Sequence, residues 1–237
     1  MTVVVMQPCF LPYAGFFRLF AVADLFVVYD CVQFPRRGWI HRNRLPDQKC
    51  QSRWLTLPLC KAPRDIRINQ LAFPADAADR LKRQFSHFPS LQSKSAAGHP
   101  AVEAMLDPTG TPVDYLERLL RQSCEVLGLP VNIMRSSALD IPREISGQQR
   151  VLAVLETLGA KNYVNPPGGI DLYDPIEFAR RGIALNFLEH YKGSYWSILH
   201  RLLTEDPAAV AGEIKGQLNL FQKQSVAPRE VHFHATV

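Results

Sequence analysis

Two short apolar runs, at residues 3–6 and 25–29, lie within the first thirty residues, and what separates them constrains the fold most. Each is too short for a stable helix and rich in valine, which suits a strand buried on both faces. Between them Pro8, Pro12 and Gly15 break the backbone, and residues 16–23 place Phe16, Leu19, Phe20 and Ala23 on one helical face. Strand, turn, helix and strand in that order form a βαβ unit, whose two strands run parallel.

The rest of the chain continues the alternation. Residues 33–44 are polar, basic and aromatic and read as a loop, and residues 53–59 as an edge strand ended by Pro58. Residues 76–88 are helical by period, and 90–108 read as a loop or a ragged helical stretch. Residues 111–127 form the clearest helix, capped by Thr111, opened by Pro112 and stopped by Gly128 and Pro130. A strand is predicted at 131–134, and a helix that opens on Ser146 and Gln149 as a capping box and closes at Gly159. A strand at 162–165, a Pro-Pro-Gly-Gly loop, a helix between Asp174 and Gly182 and a strand at 183–188 follow. Two further helices are expected near 196–203 and 207–221. This pattern predicts an α/β fold: a mostly parallel sheet with flanking helices, three layers in the Rossmann manner, with a helical insertion near 75–110. One domain over residues 1–222 and a C-terminal tail at 223–237 are expected.

Composition narrows the class. Lys plus Arg is 27 against 22 acidic residues, a surplus that favours anionic partners. The longest apolar-looking stretch, residues 10–29, is interrupted by Arg18 and Asp24, so no membrane span is expected, and the N-terminus lacks the pattern of a secretion signal. Five irregularly spaced cysteines with no C-x-x-C pair fit reduced thiols in the cytoplasm. His232 and His234 share a strand face, but a metal site needs more ligands, so no metal or other cofactor is expected. Phosphate-binding G-x-x-x-x-G-K-[ST], dinucleotide-binding G-x-G-x-x-G and hydrolase G-x-S-x-G motifs are all absent.

Ligands of open parallel sheets bind beyond the carboxyl ends of the strands. That rule gathers Gln7, Tyr13 and Gly15 after the first strand, and Asp30 and Gln33 after the second. It adds Ser136 and Ser137 after the third, Asn165, Gly168 and Gly169 after the fourth, and Glu189, His190 and Tyr191 after the fifth. The loop at 33–44 sets Arg36, Arg37, His41, Arg42 and Arg44 around Trp39. Guanidinium forks suit phosphate or carboxylate, an indole stacks on planar groups, and Asn43 offers an amide. Asp30 reads as a general base, a metal ligand, or an anchor for Arg42 or Arg44. His41 reads as an acid or base, because its ordinary pKa lies near neutrality. Cys9 lies close to these residues, yet buried cysteines are usually inert packing.

The stretch QPCFLPYAGFFRLFAVADLFVVYDCVQFPRRGWIHRNRL resembles the opening of the WbqC-like protein family. Gln7, Pro8, Pro12, Gly15, Asp24, Asp30, Gln33, Arg42 and Asn43 fall on its pattern. WLTLPLCKAPRDIRINQL resembles the next block, with Lys61 and Asn69 on familiar positions. LGAKNYVNPPGGIDLYDPIEFARRGIALNFLEH resembles the late block. In SYWSILHRLL, His200 stands where the family pattern implies an acidic residue. The resemblance implies a place in bacterial surface-glycan or other biosynthetic clusters, and a transferase acting on an activated small molecule. The strand, P-x-x-G turn and helix are also similar to the opening of nucleotidylyltransferases of the HIGH type, but Pro12 and Phe16 stand where those enzymes carry histidines.

Three readings follow. The first is a cytoplasmic bacterial group transferase, of acyl or aminoacyl type, with an amine or sugar acceptor. In it Arg42 and Arg44 hold the anionic group of an acyl, aminoacyl or sugar-nucleotide donor, Gln7 and Asn43 orient polar groups, and His41 or Asp30 takes the acceptor's proton. A carrier protein or a second copy of the chain is a further partner. The second is nucleotide binding or nucleotidyl transfer on the same sheet edge. The third is a non-catalytic module for RNA or a partner enzyme, against which the aromatic positions read mostly as core.

Overall fold

A computed structural model describes residues 1–222. The expected tail at 223–237, with His232 and His234, lies outside the described residues. The first strand is β1 (Thr2–Met6); a 3-10 turn at Ala14–Phe17 leads into the short helix α1 (Arg18–Val22), and β2 (Leu25–Val28) completes the βαβ unit. The hairpin β3 (Arg42–Pro46) and β4 (Ser52–Thr56) follows, then short helices α2 (Ala77–Arg83), α3 (Pro89–Gln92) and α4 (Pro100–Met105) in the expected insertion. The remainder is α5 (Pro112–Val126), β5 (Ile133–Arg135), α6 (Gly147–Thr157), β6 (Asn162–Asn165), α7 (Pro175–Arg180), β7 (Ala184–Leu188), α8 (Ile198–Thr204), α9 (Pro207–Lys215) and β8 (Leu220–Phe221).

Six strands form one sheet in the order β5-β2-β1-β6-β7-β8, with every pair parallel except β7 with β8. Side chains alternate across it as the pleat requires. Val4, Phe26, Val28 and Val164 point into the larger core with residues of α1, α5, α8 and α9. Val3, Val5, Val27 and Tyr163 point the other way, against Val151, Leu152 and Leu155 of α6 and Phe178 of α7. The result is the three-layer α/β fold. Strand order reverses between β1 and β6: the chain builds outward through β2 and β5, then returns past β1 to add β6 and β7.

Two segments differ from expectation. Residues 42–44 belong to a strand rather than a loop, because β3 pairs antiparallel with β4 and alternates Asn43 and Leu45 inward with Arg42 and Arg44 outward. The last helix stops at Lys215, because residues 220–221 pair with Phe187 and Leu188 at the sheet edge. No helix among the described residues is long and apolar enough to cross a membrane.

Candidate functional site

The β1–β6 boundary is a topological switch point, where neighbouring loops diverge to opposite faces and leave a crevice at the carboxyl edge. A cleft of about 530 Å³ lies there. Gln7 leaves β1 on one side, and Asn165, Pro166, Gly168 and Gly169 leave β6 on the other. Gly147, Gln148 and Val151 of α6 form a wall, and Tyr29, Leu172 and Tyr173 close the rest. The lining is chiefly apolar with a few convergent polar groups, the usual character of a small-molecule site.

The polar groups are held by one another. Asn165 is buried, and its Nδ2 donates to Tyr163 Oη at 2.5 Å and to Tyr173 Oη at 3.3 Å. The two tyrosine hydroxyls lie 3.1 Å apart. Gly169 makes this possible: a Cβ there would fall 2.4 Å from Asn165 Oδ1. Gly168 beside it faces open space. Gln148 Oε1 accepts from the Asp174 amide at 2.6 Å and ties α6 to the turn after the cleft. Burial pushes the Tyr29 hydroxyl well above its ordinary range, with Cys31 adding to the rise and Arg150 opposing it, so the hydroxyl stays protonated at neutral pH. That oxygen is buried and has no hydrogen-bond partner among the described residues.

The cleft continues into a basin of about 380 Å³ that shares Val32 and Gly147 with it, lined by Cys31, Gln33, Asp65, Arg67, Arg143 and Arg150. A further basin of about 490 Å³ shares Gln33 and adds Arg36 and Arg64.

The residues singled out from sequence fall into three groups. Gln7, Asn165, Gly168 and Gly169 meet in the cleft, and Gln33 borders the two basins. Asp30, Asn43, Tyr13 and Gly15 line neither the cleft nor the two basins. Asp30 is 1% exposed. Its Oδ1 accepts from Ser136 Oγ at 2.9 Å and the Ser137 amide at 3.0 Å, and its Oδ2 from Ser137 Oγ at 2.5 Å. The carboxylate therefore ties β2 to the turn after β5, and the anchored partners are these serines rather than Arg42 or Arg44. Asn43 is buried and donates to the carbonyls of Phe10 and Leu11 at 3.1 and 2.6 Å. Ser197 Oγ also donates to the Leu11 carbonyl, at 2.7 Å. Both clamp the loop after β1, where Leu11 takes a φ of 45°, a left-handed conformation that a leucine adopts only under constraint. A Cβ on Gly15 would fall 2.5 Å from the Tyr191 ring, and Tyr13 packs on Tyr191 and Tyr195, so aromatic rings fill the P-x-x-G corner.

Arg42, Arg44 and His41 form the third group, on and beside the hairpin and apart from the cleft lining. The Arg42 guanidinium lies 4.2 Å from the Trp54 ring centroid and the Arg44 guanidinium 5.1 Å from that of Trp39, with the two indoles 5.2 Å apart. Both tryptophans are exposed. His41 is half-buried against Phe34; burial first, and Arg42 second, hold it below its ordinary pKa. Cys9 is partly buried, and desolvation pushes its thiol up to about 12, outside the range of a reactive thiolate. All five cysteines are free.

Sequence reasoning passed over Tyr29, Tyr173, Gln148, Arg67 and Arg143. Tyr29 reads from sequence as the end of a strand; Arg67 reaches the edge through the connection after β4, Arg143 and Gln148 through that after β5, and Tyr173 through that after β6. The Gly-rich loop at 166–169 was the signal that pointed nearest to them.

The model of the WbqC-like protein family matches residues 7–200. The uncharacterized protein Rv1507c of Mycobacterium tuberculosis (strain ATCC 25618 / H37Rv) is 26% identical over 197 residues, covering 79% of this chain and 82% of that protein. No solved structure matches. The matched span runs from Gln7 in the cleft to His200 in α8, and so includes both sides of the switch point: the chain belongs to the WbqC-like protein family.

Proposed function

We propose that this protein is a cytoplasmic biosynthetic group transferase that holds an activated small-molecule donor in the switch-point cleft and passes its acyl, aminoacyl or similar group to an amine or sugar. The observation that carries the reading is the cleft itself, a partly enclosed space at the reversal of strand order with Gln7, Tyr29, Asn165 and Tyr173 converging on it. In such a transfer the acceptor's nitrogen or oxygen forms the new bond. The donor's leaving group departs with the electron pair of the bond that breaks, and a base receives the acceptor's proton. Tyr29 lines the cleft wall against which the donor packs. Gln7 suits orientation of the group transferred. His41 stands beside the hairpin and apart from the cleft lining, so in this reading the acceptor's proton leaves with the departing group or to solvent water.

A thermal-shift screen tests it. The panel holds acyl-coenzyme A esters, aminoacyl adenylate analogues, sugar nucleotides and free nucleotides. A ligand at about a hundred times its Kd adds about 2.7 kcal/mol of stability, which for a chain this size raises Tm by about 5–10 °C. The shift is expected to shrink in Gln7→Ala and in Tyr29→Ala. A shift kept by both variants and lost in Arg42→Ala would move the site to the hairpin.

The exposed stack of Trp39, Arg44, Trp54 and Arg42 favours a second reading, a non-catalytic binding module for RNA or a partner enzyme. It predicts binding without turnover that weakens steeply with salt where phosphate dominates.

A further inference from the structure

The donor's chemistry can be read from what adjoins the cleft. The two basins that extend it carry five arginines (Arg36, Arg64, Arg67, Arg143 and Arg150) and one carboxylate, Asp65. Arg150 is committed to the fold: it is buried, and it donates to Cys31 Sγ at 3.1 Å and to the carbonyls of Pro142 and Ile145 at 2.8 and 3.3 Å. Those contacts fix the segment that carries Arg143. Arg36 donates to the backbone carbonyls of Ala62 and Pro63. Arg67 is set by backbone pairing, since its own residue bridges Gln33 and the next amide, of Ile68, donates to the Val32 carbonyl at 3.0 Å. Among the described residues, ion pairs join eight other arginines to carboxylates but none of Arg64, Arg67 or Arg143.

Asp65 lines the same basin, yet among the described residues it forms no ion pair with these arginines. Half-buried Arg67 and exposed Arg143 border the same basin, directly beside the apolar cleft. Ser146 stands at the N-cap of α6 without a side-chain hydrogen bond, so the first amides of that helix carry no capping oxygen where basin and cleft join. A ligand that fits both compartments has a planar or apolar head and a compact, multiply charged tail. Planar guanidinium forks suit phosphate oxygens better than a single carboxylate.

We propose that the donor is nucleotide-linked: its nucleoside occupies the switch-point cleft between Tyr29 and Tyr173, and its phosphates lie in the adjoining basin on Arg67 and Arg143. This rests on the cleft being the donor site. It transfers the anion-binding role expected of Arg42 and Arg44 to a different pair of arginines.

Isothermal titration on the full chain tests the proposal, using the five common nucleoside diphosphates, the matching monophosphates and the free nucleosides. At least one diphosphate is expected to bind, about tenfold or more tighter than its monophosphate. Arg67→Ala and Arg143→Ala should each weaken the diphosphate by about ten- to a hundredfold, leave nucleoside affinity within about twofold, and retain wild-type circular dichroism. Arg42→Ala, on the hairpin, should leave both affinities unchanged. Equal affinity for nucleoside and diphosphate, or full diphosphate affinity in the Arg67→Ala, Arg143→Ala double variant, overturns the phosphate assignment while the cleft stands. Failure of every diphosphate to bind at millimolar concentration overturns the nucleotide class. The cleft is tested separately by Gln7→Ala against whichever other donor stabilises the chain.

Discussion

Replacing Asp30 separates a structural carboxylate from a catalytic one. The side chain is 1% exposed and accepts three hydrogen bonds, all from the Ser136–Ser137 turn. A hydrogen bond to a charged group contributes about 1.5–3 kcal/mol, and a buried donor left without its acceptor costs about 1–3 kcal/mol more. Three such bonds share one carboxylate and are not additive. The turn also borders solvent near Ser137, which lets water take one donor. The expected loss for Asp30→Ala is therefore about 3–5 kcal/mol. With a urea m-value of about 2.5 kcal/mol/M for a chain of this size, the midpoint should fall by about 1.5 M with m unchanged. Asp30→Asn should fall by about half as much, since its Oδ1 can keep two of the three donors. Any ligand affinity that survives should scale with the folded fraction. A midpoint shift below about 0.3 M, with ligand binding intact and turnover abolished, would refute the structural account and restore Asp30 as the proton acceptor.

Further expectations follow from the same geometry. Gly169→Ala forces its methyl against Asn165 Oδ1 and should cost about 1–3 kcal/mol, with weaker donor binding in titration. Gly168→Ala meets nothing and should stay within about 0.5 kcal/mol; equal losses would contradict the close packing of Gly169. His41 and His200 are both held below the ordinary histidine pKa, chiefly by burial, with Glu205 partly opposing the shift at His200. Their folded values lie below their unfolded values, so stability is complete above about pH 6.5 and is lost as pH falls from there through the folded values. Urea midpoints should fall between pH 7 and pH 5 and flatten in a His41→Gln, His200→Gln variant; a midpoint that rises on acidification would contradict this. Asp114 accepts from the Thr111 amide and hydroxyl and pairs with Arg135, which depresses its carboxyl. Asp114→Ala should cost about 1 kcal/mol, a difference that disappears as pH falls below the ordinary carboxylate range.

The architecture was legible because periodicity reports it directly. The strand at 162–165 and the capped helix after Thr111 emerge within a residue of expectation, since turn chemistry bounds both. The hairpin was misread, because Arg42 and Arg44 alternate with Asn43 and Leu45 in a strand whose outward face is stabilised by guanidinium–indole stacking rather than by apolar burial. The end of α9 was misread because sheet pairing at 220–221 outweighs a continuing helical pattern. At the site, the switch-point rule located Gln7 and Asn165 from strand ends alone. It did not tell which polar residues serve the backbone: Asp30 and Asn43 have the chemistry of catalytic groups, but their hydrogen bonds run to carbonyls and hydroxyls of the fold. It missed Arg67 and Arg143 because each reaches the groove through a connection whose path no local pattern encodes.

The central claim is that ligand occupies the crevice between β1 and β6. Amide hydrogen exchange of the full chain, with and without whichever donor stabilises it, tests this most directly. The account predicts added protection at residues 7–9, 29–33, 147–151 and 165–173, with the hairpin at 39–56 unchanged. Protection confined to residues 39–44 and 52–56 would place the ligand on the arginine–tryptophan stack and contradict it.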